Sequence, residues 1–469
     1  MNDEQLFRQI LDLITAHRAR EREGLLLDYL EPEQLARHLE LDRPAEGDWQ
    51  QILRWLEGYL EHSVKTGHPG FLNRMWSGAN LPSILAEMIT AASNTSACTY
   101  EGAPVSTLME HYMLDTMLAL AGFRDGEGQM TTGSSNANMI AMLAARNEAL
   151  EEVKEQGLWR QPRLAAFVSA DAHYSLDKAA NLLGIGTGQL KKVPVDERGR
   201  MDPLALERMI GESIASGERP FFVCATLGTT VRGAYDPLPP LLELRRKHGF
   251  WLHGDGAWGG AALLDDELRA RYLPGVESLD SFTWDFHKMP GTNLMCNLLL
   301  FNGRKDAFRC ACSAGEHSYL FREEKETHDL DLGVGSLQCA RRVDSLKWFL
   351  DWKYFGREGL AARVRHYLAL AEYAERLVQE HDELELVAPR ESFNVCFRYR
   401  PPAGVEANAF NQRLRHHLFH AGISLVGMAW IGERLTLRLL ITHPDYTRAQ
   451  VERFFQDLVE AARNLLDSE

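Results

Sequence analysis

A lysine and an aspartate, each at the end of a short patterned stretch, are the residues best suited to chemistry. His287-Lys288 closes the stretch Asp280-Ser-Phe-Thr-Trp-Asp-Phe-His-Lys288, some thirty residues after Asp255-Gly-Ala-Trp258. A lysine amine condenses with an aldehyde only after losing its proton, so it needs a site where burial or nearby charge lowers its pKa. A carboxylate beside a pyridine nitrogen keeps that nitrogen protonated, which makes the ring a stronger electron sink. Together the two look like a pyridoxal-phosphate site. A lone His-Lys pair is otherwise usually a surface feature, and a lone Asp after a strand usually a turn or cap, so the company they keep carries the argument.

The elements that must position them can be read from periodicity. Asp255 follows the apolar run Gly249-Phe-Trp-Leu252, which puts it at the carboxyl end of a buried strand, where open α/β sheets bind ligands. From about 66 to 340, runs such as Leu164-Ala-Ala-Phe-Val168, Pro220-Phe-Phe-Val-Cys224 and Leu298-Leu-Leu-Phe301 alternate with amphipathic stretches. That alternation predicts an α/β fold with a largely parallel sheet wrapped by helices. Residues 1–65 read as a helical segment, with helices from Glu4 to Arg20 and Asp48 to Lys65. A helical pattern follows from Ala340 to Glu380. Strands at Phe393–Phe397 and Arg434–Ile441 and a helix from Arg448 to Leu466 predict a small C-terminal α+β domain. The expected domains are thus 1–65, 66–342 and 343–469.

Three more segments fall at strand ends or helix starts. Gly126-Glu-Gly-Gln-Met-Thr-Thr-Gly-Ser-Ser-Asn136 precedes a helical pattern and offers backbone amides, hydroxyls and a favourable dipole to a phosphate, or an ordinary helix cap. Ser169-Ala-Asp-Ala-His173-Tyr-Ser175 puts an imidazole where it could lie against an aromatic cofactor or simply pack. Thr226-Leu-Gly-Thr-Thr230 supplies hydroxyls for a cofactor or a turn.

Composition narrows the classes of function. The chain has 469 residues, 45% hydrophobic and 25% charged, which suits a large soluble catalytic domain with a smaller companion. A formal charge of -15 argues against a general nucleic-acid or anionic-membrane surface. There is no run of about 18 apolar residues, and the start Met-Asn-Asp-Glu-Gln lacks signal-peptide character, so a cytoplasmic location is expected. Seven cysteines without a paired CxxC suggest neither a disulfide framework nor a zinc site, and no metal is expected.

The ordered set Thr-Gly-Ser-Ser-Asn, Asp-Ala-His-Tyr-Ser, Gly-Thr-Thr-Val-Arg-Gly-Ala, Asp-Gly-Ala-Trp and His-Lys resembles the group II pyridoxal-phosphate-dependent amino-acid decarboxylases. His68-Pro-Gly-Phe-Leu-Asn73, Asn94-Thr-Ser-Ala-Cys-Thr-Tyr-Glu-Gly-Ala-Pro104, Ser318-Tyr-Leu-Phe321 and Leu337-Gln-Cys-Ala-Arg-Arg-Val-Asp344 resemble the branch acting on glutamate, aspartate and cysteine sulfinate. The resemblance spans roughly residues 66 to 445. It implies a fold-type I enzyme with a mostly parallel seven-stranded sheet, and a homodimer with active sites at the interface.

It also implies roles. Lys288 would hold the cofactor as an imine, Asp255 would pair with its ring nitrogen and His173 would stack on the ring. Ser134 and Ser135, with His287, would hold the phosphate; Thr229 and Ala257 would line the ring. Arg438 would take the substrate α-carboxylate, a task that suits a bidentate guanidinium.

Four positions depart from the family pattern. Asp285 stands where asparagine is common, and a carboxylate there would repel a phosphate unless protonated or paired. Arg74 replaces a glutamine and either grips a distal acid or is a surface arginine. Cys98 replaces a bulky aromatic beside the substrate. The stretch Arg322-Glu-Glu-Lys-Glu-Thr-His328-Asp-Leu-Asp-Leu-Gly333 lacks the family's loop tyrosine, leaving His328 as a candidate proton donor or an exposed loop histidine. The expected reaction is decarboxylation of an L-amino acid to an amine and carbon dioxide, a small acidic substrate being favoured. The alternatives are an aldehyde-forming decarboxylation, another lyase or transaminase reaction on the same fold, and a non-catalytic paralogue.

Overall fold

The computed structural model describes residues 2–44, 47–313, 319–322, 324 and 326–467. Ser318 of the Ser-Tyr-Leu-Phe motif, and Glu323 and Lys325 of the tyrosine-free stretch, lie outside them. The described chain carries twelve strands: β1 Phe71–Leu72, β2 Glu127–Thr131, β3 Leu164–Ser169, β4 Leu190–Val193, β5 Arg219–Thr226, β6 Trp251–Asp255, β7 Ser281–Asp285, β8 Asn297–Phe301, β9 Leu384–Leu386, β10 Val395–Tyr399, β11 Leu425–Ile431 and β12 Arg434–Leu439. They form two sheets, in two compact units.

The larger unit, Ala79–Leu368 with Arg390–Ser392, holds the seven-stranded sheet in the order β2-β8-β7-β6-β5-β3-β4. The neighbours from β4 to β7 pair in parallel, whereas β8 is antiparallel to both β7 and β2. Reversing twice makes β2 run with β7. The carboxyl ends of β2, β3, β5, β6 and β7 therefore share one edge. β3, β6, β7 and β8 are buried along their whole length, as strands covered on both faces must be. The helix Ser134–Ala149 packs against β5, β6, β7 and β8.

The smaller unit comprises Met1–Gly78, Ala369–Pro389 and Phe393–Glu469, with a five-stranded sheet in the order β1-β11-β12-β10-β9. Its first strand is only two residues long and pairs in parallel with Leu425 and Val426. That pairing draws the N-terminal helices Asp3–Arg20 and Trp49–Glu61 into the same unit as the C-terminal sheet. The divisions therefore fall at 78/79 and 368/369, where the sequence reading set them at 65/66 and 342/343. The long helix Ser345–Glu380 contributes to both units and is interrupted at Gly356 (φ 64°, ψ 172°). It starts five residues later than its pattern suggested.

Candidate active site

β2, β3, β5, β6 and β7 each end on a polar residue at the shared edge: Thr131, Ser169, Thr226, Asp255 and Asp285. Asp255 is the last residue of β6 and is 4% exposed. Its Oδ1 accepts from the Ala257 amide at 3.1 Å and its Oδ2 from Asn138 Nδ2 at 2.9 Å. Each carboxylate oxygen has a further lone pair for a ring N–H. Beside it, the Leu227 amide donates to the Asp255 carbonyl at 2.9 Å, which draws in the turn that carries Thr229. Thr229 is fully buried, and its hydroxyl accepts from the Ala234 amide at 3.0 Å. Ala257 bridges the two acids, since its carbonyl accepts from the Asp285 amide at 3.3 Å.

β7 ends at Asp285, two residues short of His287-Lys288. Lys288 Nζ lies 3.0 Å from Asp285 Oδ2, and Asn297 Nδ2, directly across the ladder, donates to Oδ1 at 2.7 Å. Burial alone would push this carboxyl up, but Lys288 and then His287 outweigh it and hold it below the usual range. Asp285 is thus a paired anion whose Oδ2 faces the lysine. His287 is buried, with Nδ1 2.8 Å from the Cys296 carbonyl and Nε2 3.7 Å from Asp285; burial lowers its pKa.

His173, four residues past β3, is half-buried, and the Ser175 amide donates to its Nδ1 at 3.3 Å. Burial lowers its pKa, and the charges of Asp255, Lys288 and Asp285 all act on it. Between β2 and the helix Ser134–Ala149 stands Gly133, whose φ of 105° is open to glycine but strained for other residues. It turns the first amides of that helix and the Ser134 and Ser135 side chains to the same edge. Ser134 Oγ accepts from Asn297 Nδ2 at 2.9 Å, and Ser135 is exposed. An unpaired helix start with two hydroxyls suits a phosphate. Lysine with a paired acid, a charged acceptor with spare lone pairs, a half-buried imidazole and an anion-binding helix start together fit pyridoxal phosphate.

The family model described as the pyridoxal-dependent decarboxylase conserved domain matches residues 32–400. This chain belongs to that family. It is a pyridoxal-phosphate-dependent amino-acid decarboxylase. It is 37% identical to rat cysteine sulfinic acid decarboxylase over 451 residues, 92% of this chain and 91% of the other. Mouse acidic amino acid decarboxylase is 40% identical over 375 residues, 79% of this chain and 68% of the relative. The crystal structure of mouse CSAD in apo form superposes with a TM-score of 0.93 at 33% identity, covering 98% of each chain.

The remaining candidates of the decarboxylase lie elsewhere. Cys98 is buried, its carbonyl accepts from the Gly333 amide at 2.8 Å, and burial, then Cys339, pushes its thiol up to about 11. His328 is on a short 3-10 turn and exposed, with Nε2 2.9 Å from Asp329. Arg438 and Arg74 belong to the smaller unit. Arg438 is on β12, where Nη2 donates to the Asn73 carbonyl at 2.5 Å and burial, reinforced by Arg74, lowers its pKa to about 10. Gly427 stands opposite it, and a Cβ there would lie 3.0 Å from Arg438 Nε, so the glycine gives the guanidinium room. Arg74 is exposed and also acts on half-buried Arg415.

Sequence reasoning missed Asn138, His253, Ser281, Thr283 and Asn297. A signal existed. Residues two apart on a strand share a face, so His253 goes with Asp255, and Ser281 and Thr283 go with Asp285. Asn138 is one helical turn past Ser134 and lies on its side of the helix.

Proposed function

We propose that the enzyme decarboxylates a small acidic L-amino acid, such as cysteine sulfinate, aspartate or glutamate, and releases an amine. The observation that carries the reading is Lys288 paired with Asp285 beside the charged acceptor Asp255, in a chain whose relatives are named for acidic substrates. Bound pyridoxal phosphate supplies the sink for the electron pair released as carbon dioxide leaves. Lys288, placed by its pairing with Asp285 Oδ2, is the amine that would hold the cofactor. Asp255 holds a proton on the ring nitrogen, His173 covers the ring face, and Ser134, Ser135 and His287 hold the phosphate. Arg438 takes the α-carboxylate and Arg74 the distal acid. Arg438 is well suited, because its partly desolvated guanidinium sits near another cation and gains from an arriving anion.

Incubating the holoenzyme with the standard amino acids, cysteine sulfinate and diaminobutyrate tests this by mass spectrometry of the products. A product lighter by carbon dioxide from an acidic amino acid is expected. If no candidate loses carbon dioxide, the reading fails.

A second reading, aldehyde formation, is favoured by one observation: the stretch from Arg322 to Gly333 has His328 in place of a tyrosine. Oxygen uptake matched by aldehyde and ammonia would support it over simple decarboxylation. In the amine reading His328 returns the proton to the α-carbon, so His328→Ala should shift product from amine toward aldehyde.

The enzyme is further proposed to be a cytoplasmic homodimer. Exposed apolar stripes support pairing: Leu81, Leu85, Met88 and Ile89 on the helix Leu81–Ser93, and Val105, Leu108 and Tyr112 on Pro104–Ala121. None of the described helices is long and apolar enough to cross a membrane. A fully active monomer by light scattering would refute the dimer.

A further inference from the structure

Behind Asp255 a line of buried polar side chains crosses from the sheet to the covering helix. Trp251 Nε1 donates to Ser281 Oγ at 2.8 Å, and that oxygen is 2.8 Å from His253 Nδ1. His253 Nε2 is 2.9 Å from Asn138 Oδ1, and Asn138 Nδ2 donates to Asp255 Oδ2 at 2.9 Å and to Ser175 Oγ at 3.0 Å. Asn138, His253 and Ser281 are all fully buried, so every proton must have a place.

The directions of these bonds follow from the two ends. A carboxylate only accepts, so Asn138 must turn Nδ2 toward Asp255 and Oδ1 toward His253. His253 Nε2 must then carry the proton, which leaves Nδ1 bare. An indole only donates, so Ser281 Oγ accepts from Trp251 and can direct its own proton at Nδ1. One arrangement satisfies every partner. Were His253 to lose its Nε2–H, Asn138 could rotate its oxygen toward Asp255, and two acceptors would face each other at hydrogen-bond distance.

We propose that Asn138 and His253 are positioning residues that hold Asp255 as an oriented, charged acceptor, and thereby set how firmly it keeps the cofactor's ring nitrogen protonated. This rests on the reading that Asp255 pairs with that nitrogen. Neither residue needs to touch substrate. Their influence travels through one carboxylate, as partners behind a metal-binding side chain tune the ligand in front.

The test uses holoenzyme loaded with pyridoxal phosphate carrying 15N at the ring nitrogen, whose chemical shift reports protonation directly. A glutamine amide reaches the place of an imidazole Nε2, whereas an asparagine amide reaches only that of Nδ1. His253→Gln should therefore keep the protonated signal and a cofactor dissociation constant within about threefold of wild type. His253→Asn and His253→Leu should move the signal toward the unprotonated position and raise the constant by about tenfold or more. Equal signals across all three variants, or a Gln variant as impaired as the Asn variant, would overturn the proposal. Should the His253 variants not fold, Asn138→Leu is close in volume and removes the donor; it should give the same shift, and a wild-type signal from it overturns the idea. A wild-type protein that binds no cofactor would instead break the underlying reading of Asp255.

Discussion

Asp255 has its partners supplied in advance, whereas Arg438 shares its surroundings with the like charge of Arg74. The first is a seat suited to the resident group proposed for it: donors are in place and orientations are fixed, so little need rearrange on binding. The second is proposed for a visitor, because an anion arriving there would offset the like charge of Arg74. The difference teaches that preorganised donors and a desolvated cation beside a like charge are two distinct ways to favour a ligand.

The largest effects should come from the seat. Lys288→Ala is expected to lower turnover by about 10³-fold or more and to abolish the lysine-bound absorbance of the cofactor, both read on purified holoenzyme. Asp255→Asn removes the charge but not the shape, and should cost about 10²- to 10³-fold in kcat while the cofactor still binds. Retention of full activity in that variant would erase the contrast between the two places.

Stability against acid sharpens it further. Burial lowers the His253 pKa to about 4 from an ordinary 6.5. The unfolded chain therefore takes up a proton that the folded one refuses, so this contribution is intact above pH 6.5 and is lost as pH falls from there toward 4. The loss is on the order of 3 kcal/mol. His253→Gln should flatten that part of the profile, as measured by urea unfolding at pH 7 and pH 5. The visitor's site should respond more weakly. Arg438→Lys keeps the charge but loses the fork and should raise KM roughly tenfold. Arg74→Gln, at an exposed position, should raise KM only about two- to fivefold with kcat unchanged.

Much of the seat was legible because strand ends announce themselves: an apolar run stopping at Asp255, another at Val168, and small residues opening the helix at Ser134. Periodicity does not say which strands are neighbours, so the antiparallel β8 between β2 and β7, and with it Asn297 opposite Asp285, could not be read. His253 was hidden for a different reason. In a strand buried on both faces, a polar residue does not break an alternation, and only its two-residue spacing from Asp255 marks it. Asp285 illustrates a partial reading: pairing was seen as the condition for a charge there, but its partner Lys288 required the turn after β7. The two-residue strand Phe71–Leu72 is too short to have any period at all.

That short strand imposes a schedule on synthesis. Phe71 pairs with Leu425, some 350 residues later. At about 5 to 20 residues per second, a nascent chain leaves Phe71 and Leu72 without their partner for about 20 to 70 s. The last strand of the seven-stranded sheet, ending at Phe301, is synthesised well before then, so the two sheets of this enzyme become complete at very different points of synthesis.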